Sequence, residues 1–151
     1  VHSTGASFPN SLKDVAMKES EVTLGIEATH LSLPEISSLL GRQCSSGSYE
    51  KGSQHGGREP SVSTVWRFDS HAGRTASMVN HFRDIASRLP ASLFHQQGLK
   101  SADVKVCLNV AVYFDAAMCT VNLPPECVDI AKSYGSAVEV TCYPSSFDCA
   151  K

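Results

Sequence analysis

The sequence predicts an α+β domain: a two-layer sandwich in which three helices cover one face of a mainly antiparallel sheet of five or six strands. The strongest observation is the run 104–114, where apolar side chains occupy every second position. This period of two indicates a long strand with one buried face. The intervening positions are polar enough to meet water, which favours antiparallel pairing. Apolar residues at helical spacing in 75–89 would cover the buried face.

The first strand and the first helix are predicted by alternation and by capping residues. Apolar side chains alternate over residues 21–28, which indicates a strand. Ser32 and Glu35 have the spacing of a capping box, in which each side chain accepts a hydrogen bond from a backbone N–H near the helix start. Gly41 is a typical helix stop, so we expect a helix over residues 33–40.

The centre of the chain predicts a long irregular loop, a strand and the longest helix. Residues 42–61 are rich in glycine and serine and carry mixed charge. Loops of this length are usually functional or disordered. Residues 63–68 predict a strand that places Trp66 and Phe68 in the same phase. The longest helix is expected over residues 75–89 and is bounded by a proline.

The last third of the chain predicts a hairpin, a helix and a final strand. After the long strand, residues 118–121 predict a short strand that pairs back on it. Residues 124–135 predict a helix, and residues 138–142 predict a strand whose Cys142 lies in the apolar phase. The order is therefore β-α-β-α-β-β-α-β. The similar starts of this helix and of the segment 33–41 indicate a split β-α-β arrangement.

The domain organisation is simple. Residues 1–20 are serine-rich and weakly patterned, which predicts a flexible N-terminal arm before a single domain over residues 21–151. No apolar stretch approaches the roughly 20 residues of a membrane helix, and no signal-peptide pattern is visible. The six cysteines form no C-x-x-C pair, which favours free thiols in a reducing compartment. A cytoplasmic protein without a membrane contact is therefore expected.

Composition and motifs disfavour several function classes. The net charge of −2 at pH 7 disfavours a nucleic-acid binder, which usually carries a basic patch. The histidines form no H-E-x-x-H pair, and no G-x-S-x-G elbow is present. Gly52 and Gly57 have the spacing of a phosphate-binding loop, but Arg58 and Glu59 follow where that loop needs lysine and a hydroxyl. The sequence therefore predicts no catalytic residue, no metal and no cofactor.

Two candidate contact surfaces remain. The long loop contributes Tyr49, Glu50, Lys51, His55 and Arg58. The polar phases of the long strand and of the last strand contribute Asn109, Tyr113, Glu139 and Tyr143. Tyrosine is favoured in protein interfaces, which makes both surfaces candidates for a protein partner. The plainer interpretations are a solvated connection and a wet sheet face, or a sheet face covered by the N-terminal arm.

The order of these motifs resembles that of DUF4279, a bacterial domain family of unknown function. The shared pattern consists of Leu33-Pro34-Glu35-Ile36 with Leu40-Gly41, then Tyr49-Glu50-Lys51-Gly52, then Val65-Trp66-Arg67-Phe68, and finally Pro125-Glu126 with Gly135. The family has tryptophan where this chain has Tyr49, and a second glutamate where it has Ile36. The loop is also longer and richer in glycine and serine than the family pattern. The resemblance covers about residues 21–143.

Members of this family resemble immunity proteins that are encoded beside bacterial toxins. The resemblance therefore implies a non-enzymatic protein-binding domain that neutralises a cognate toxin. The residues themselves leave alternatives open. One is a small enzyme or ligand-binding domain that uses the loop 42–61 with Cys44 and His55. Another is a structural module without a dedicated partner.

Overall fold

The computed structural model describes residues 19–54 and 57–144, which form four strands and three helices. In chain order these are β1 (Glu19–Ala28), α1 (Leu33–Leu40), β2 (Thr64–Asp69), α2 (Met78–Arg88), β3 (Val104–Phe114), α3 (Pro125–Tyr134) and β4 (Ala137–Pro144). Two short 3-10 turns, Ala91–His95 and Gln97–Leu99, connect α2 to β3. The bounds of α1 and β3 agree with the sequence pattern. Residues 1–18 of the expected N-terminal arm lie outside the described residues.

The sheet of the described residues contains four strands in the order β2-β1-β3-β4. The central strand β1 pairs antiparallel with β2 and with β3, so Ile26 lies between Trp66 and Val106. The last strand β4 pairs parallel with β3, which sets Asn109 opposite Glu139. The expectation of five or six strands is therefore wrong, and the sheet is mixed because one of its three pairings is parallel.

The missing strand explains the parallel pairing. Residues 118–121, expected to pair back on β3, are not a strand. The half-buried side chains of Cys119 and Val121 pack against the core instead, as does that of Leu123, whereas Met118 is 80% exposed. Without a hairpin, the chain crosses over through α3 before it enters β4. Such a crossover returns the chain in its original direction, and parallel strands need a connection of this kind.

The core lies between the helices and one face of the sheet. Trp66, Phe82 and Leu108 are fully buried in one cluster, as the sequence predicted. The predicted core members Phe68 and Val110 belong to the same cluster, and Val106 packs against it half-buried. The indole N–H of Trp66 donates a hydrogen bond of 3.0 Å to the Ser37 hydroxyl on α1, which satisfies its one polar atom.

Capping residues account for the start of α1 and for the points where α1 and α3 end. The Ser32 hydroxyl accepts from the Glu35 backbone N–H at 3.3 Å, and the Glu35 carboxylate accepts from the Ser32 backbone N–H at 2.8 Å. The predicted capping box is therefore confirmed. Gly41 and Gly135 end the two helices with φ of 62° and 65°, a left-handed conformation that glycine adopts without steric cost.

The last strand departs from the sequence pattern. Val138 is half-buried against the core, but Val140 and Cys142, which share its phase, are both exposed. The expectation that Cys142 is buried is therefore wrong. The alternation continues along β4, but only the start of the strand packs against the core. Among the described residues, no helix is long and apolar enough to cross a membrane.

Candidate functional site

The face of the sheet that points away from the helices carries most of the residues that the sequence predicted as contacts. We call it the open face. The strand register places on it Glu19, Glu21, Thr23, Gly25 and Glu27 of β1, Val65, Arg67 and Asp69 of β2, Lys105, Cys107, Asn109, Ala111 and Tyr113 of β3, and Glu139, Thr141 and Tyr143 of β4. These positions alternate with the buried ones, as the pleat of a strand requires. The open face is thus polar, with a few aromatic side chains.

A groove of about 330 Å³ runs over the middle of the open face, and we call it the sheet groove. Small side chains on the two central strands line its floor, above all Gly25 and Ala111. Larger side chains flank it, with Tyr49 on the β2 side and Tyr143 on the β4 side. A Cβ atom added to Gly25 would lie only 3.3 Å from the Asn109 side-chain nitrogen. The absence of a side chain at Gly25 therefore keeps the groove open.

One end of the open face is held by an aromatic and charged cluster. The rings of Tyr113 and Tyr143 stack with centroids 5.2 Å apart, and the Arg74 guanidinium lies 4.5 Å from the Tyr113 centroid. The Arg74 Nε atom is 2.9 Å from a Glu21 carboxylate oxygen and 3.3 Å from one of Glu19. The Tyr113 hydroxyl donates to Glu21 at 3.3 Å. These contacts restrict the rotamers of both tyrosines.

The candidate residues of the loop 42–61 make two kinds of contact. Tyr49 pairs with Val65 of β2 through two backbone hydrogen bonds of 2.9 Å, which brings its side chain to the sheet groove. Glu50 instead accepts a hydrogen bond of 2.8 Å from the Leu33 backbone N–H at the start of α1. Lys51 donates to the Thr29 carbonyl at 3.3 Å. The contacts of Glu50 and Lys51 therefore fasten the loop to the body of the domain.

Two further loop candidates lie elsewhere. Arg58 lines a second cleft of about 470 Å³ within the loop, together with Ser53 and Glu59, and Tyr49 borders both this cleft and the sheet groove. His55 lies outside the described residues. Cys44, its proposed companion in a ligand site, is half-buried and packs against the core. The described part of the loop thus places only Tyr49 beside the candidate residues of the sheet.

The structure brings the sheet candidates together. Asn109 and Tyr143 line the same groove, Tyr113 stacks on Tyr143, and Glu139 lies directly opposite Asn109. Sequence reasoning missed Gly25, Arg67 and Arg74. The first two sit on the polar phase of predicted strands, so strict alternation would have found them. Arg74 lies in a loop and carries no local signal.

One buried histidine lies beneath this surface. His81 of α2 is only 2% exposed, and its Nδ1 atom shares a hydrogen bond of 2.8 Å with the Ser70 hydroxyl. Its Nε2 atom has no hydrogen-bond partner among the described residues. Burial lowers the pKa of His81, although the Ser20 backbone and the charges of Asp84 and Glu21 oppose the shift. Burial therefore favours the neutral form of this imidazole.

The described thiols and carboxylates can be compared with what a nucleophile or a metal site requires. All five cysteines among the described residues are free thiols. Burial raises the pKa of the Cys107, Cys119 and Cys127 thiols, whereas a nucleophilic thiol has a lowered pKa. Within residues 19–54 and 57–144, no three side chains of His, Cys, Asp or Glu are grouped to hold a metal ion.

Comparison with known proteins adds one match. The family model described as a domain of unknown function (DUF4279) matches residues 18–145. Neither a curated protein nor a solved structure matches the chain. The matched range spans every described strand and helix, so the groove and its flanking tyrosines lie within the family's common region.

Proposed function

The chain belongs to the DUF4279 family, and from this premise we propose that it is a non-enzymatic protein-binding domain whose open face docks a cognate bacterial toxin. In this proposal the helices and the sheet form two layers with the core between them, and the outer face of the sheet presents the contact surface. The encounter takes place in the cytoplasm, where the toxin acts. No cofactor takes part.

The sheet groove is the observation that carries the proposal. Its floor is small and its flanks carry tyrosines, so a protruding side chain of a partner can enter between Tyr49 and Tyr143. Tyrosines at the centre of an interface often dominate its binding energy. The stack on Tyr113 already fixes the orientation of Tyr143. Less side-chain freedom is therefore lost when a partner binds, which favours affinity.

The charges of the open face suit a basic partner. Its carboxylates are Glu19, Glu21, Glu27, Asp69 and Glu139, and its cations are Arg67 and Lys105 with the overlying Arg74. Acidic groups therefore outnumber basic ones on this surface. Such an imbalance would accelerate association with a basic patch and disfavour acidic proteins. It would also make the association rate fall with added salt.

The class of partner comes from the family resemblance to immunity proteins. An immunity protein needs no chemistry of its own, because covering the active site or entry route of a toxin is sufficient. A stable complex buries roughly 800 Å² on each partner. A four-stranded face with a central groove is a rigid platform for such a contact. Asn109, Tyr113, Glu139, Tyr143 and Tyr49 are the proposed contact residues.

The test is co-expression of this protein with the product of the neighbouring gene. We expect the neighbour alone to arrest growth, and this protein to rescue growth and to be recovered with it in a pull-down. A neighbour that is harmless, or that is toxic but neither bound nor neutralised, would refute the immunity role.

A matched pair of variants tests the surface separately. Asn109→Arg places a long side chain in the sheet groove, and Ser133→Arg places the same side chain on the exposed surface of α3. We expect Asn109→Arg to weaken the complex at least about 30-fold, equivalent to about 2 kcal/mol at an interface centre. Ser133→Arg should bind like the parent protein. Equal binding by both variants would show that another surface contacts the toxin.

A further inference from the structure

The two edges of the sheet are protected very differently. The outer edge of β2 is covered by the loop: the Ser45 backbone N–H donates to the Arg67 carbonyl at 2.6 Å, and Tyr49 exchanges two hydrogen bonds with Val65. The other edge is β4. Among the described residues, nothing pairs with the outer side of β4.

The composition of β4 does not protect it either. Val140 is 42% exposed and Tyr143 is 48% exposed, and Cys142 between them is exposed as well. The strand is rich in residues of high β-propensity and carries no lysine and a single carboxylate, Glu139. Proteins usually blunt such an edge with lysine, proline, a bulge or a covering segment. Within residues 19–54 and 57–144 only the final Pro144 serves that purpose, so the edge of β4 is open to another strand as far as these residues are concerned.

We propose that a second copy of this chain occupies the edge, with the two β4 strands antiparallel about a twofold axis at Val140. This pairing joins the two sheets into one continuous sheet of eight strands. It rests on different observations from the proposed toxin contact, because it uses the backbone edge of β4, whereas the toxin contact uses side chains of the open face.

The register of β4 favours pairing with itself. An axis perpendicular to the sheet keeps both helix layers on one side, so each residue faces one from the same phase of the partner strand. With the axis at Val140, Glu139 faces Thr141 of the other copy, and Val138 faces Cys142. The two Glu139 carboxylates therefore do not oppose each other, and the exposed Val140 side chains meet. Opposed apolar side chains stabilise a strand pair, whereas opposed like charges destabilise it.

The covered edge of β2 explains why association would end at two copies. If both edges were free, β4 of one copy could pair with β2 of the next, and the sheets would extend into a fibre. The loop segment around Tyr49 occupies the β2 edge, so only the β4 edges remain to pair. A closed dimer is then the expected product.

Sedimentation velocity of the full chain tests this inference. A reductant keeps Cys142 from forming intermolecular disulfides. The protein should approach twice its mass of 16.2 kDa as its concentration rises. Val140→Lys sets two cations opposite each other at the axis and should shift the sample to monomer. Val62→Lys, which changes a 79% exposed valine outside the sheet, should remain dimeric.

Amide hydrogen exchange supplies a second readout that does not depend on a variant. Amides of β4 should become more protected as concentration rises, while those of β2 should not change. A monomer at every concentration would overturn the proposal. If β4 amides were protected in that monomer, the edge would be covered by another segment of the same chain. A dimer that Val140→Lys leaves intact, with the parent fold retained, would also overturn it.

Discussion

The two faces of the sheet differ in nearly every property, although they alternate residue by residue along the same strands. Leu108 is 0% exposed beneath the helices, whereas its neighbour Asn109 is exposed on the open face. Trp66 is buried in the core, and its neighbour Arg67 lies beside the sheet groove. The helix face accounts for the fold through apolar burial. The open face instead carries Gly25, polar side chains and the stacked rings of Tyr113 and Tyr143, and it is the surface on which the proposed function rests.

The largest expected effect falls on the helix face. Leu108→Ala should lower the free energy of unfolding by about 2–5 kcal/mol, because it removes buried methyl groups and leaves a cavity. The adjacent Asn109→Ala should change it by less than about 0.5 kcal/mol, as exposed substitutions usually do. Urea denaturation of both variants measures the difference. A cost below about 0.5 kcal/mol for Leu108→Ala would contradict the core assignment.

The next effect depends on pH and concerns His81, a buried residue of α2. Its pKa lies below the ordinary value of 6.5, because burial disfavours the charged imidazolium. The unfolded chain therefore binds more protons than the folded one in the window below 6.5, so stability falls as pH decreases through that window. Above the unfolded pKa no such loss is expected.

The His81 prediction is checked by urea denaturation at pH 7.5 and pH 5.5. Replacing the titrating ring by His81→Gln should flatten the pH dependence, even though it lowers stability at both values. The same decline with acid in the variant and in the parent protein would assign the effect to other groups.

A smaller effect on stability, coupled with a larger one on binding, is expected at the open face. Tyr143→Ala removes a ring that is 48% exposed and stacked on Tyr113. We expect a loss of about 0.5–1.5 kcal/mol in unfolding, the usual range for an aromatic pair. Binding of the proposed toxin partner should weaken by at least about 2 kcal/mol, because the ring flanks the sheet groove. Denaturation measures the change in stability, and calorimetry of binding with the same protein preparation measures the change in affinity. A variant that loses stability but retains full affinity would place Tyr143 outside the contact.

The sequence predicted local features well because they depend on neighbouring residues. The alternation over 104–114 identified β3 with its bounds, and the capping box of Ser32 and Glu35 identified the start of α1. Residues 118–121 show the limit of this reasoning. A short alternation cannot distinguish strand pairing from packing, and here Cys119 and Val121 pack against the core without pairing. The parallel direction of β4 follows from that difference.

The candidate site was predictable only in parts. Alternation placed Asn109 and Tyr113 on one face and Glu139 and Tyr143 on the same phase of another strand. Their contact depends on the parallel register of β3 and β4, a long-range property that no local pattern contains. The attachment of Glu50 to the start of α1 is likewise a contact between distant residues. Such pairings are decided by the whole fold.

The most direct test of the open face as the docking surface is oxidative footprinting of the toxin complex, read by mass spectrometry. Tyr49 and Tyr143 flank the sheet groove, whereas Met118, which is 80% exposed, lies outside the open face and serves as the internal control. The buried Tyr134 reports on unfolding. We predict that toxin binding lowers the oxidation rates of Tyr49 and Tyr143 several-fold and leaves that of Met118 unchanged. Unchanged tyrosine rates in a saturated complex would contradict the account.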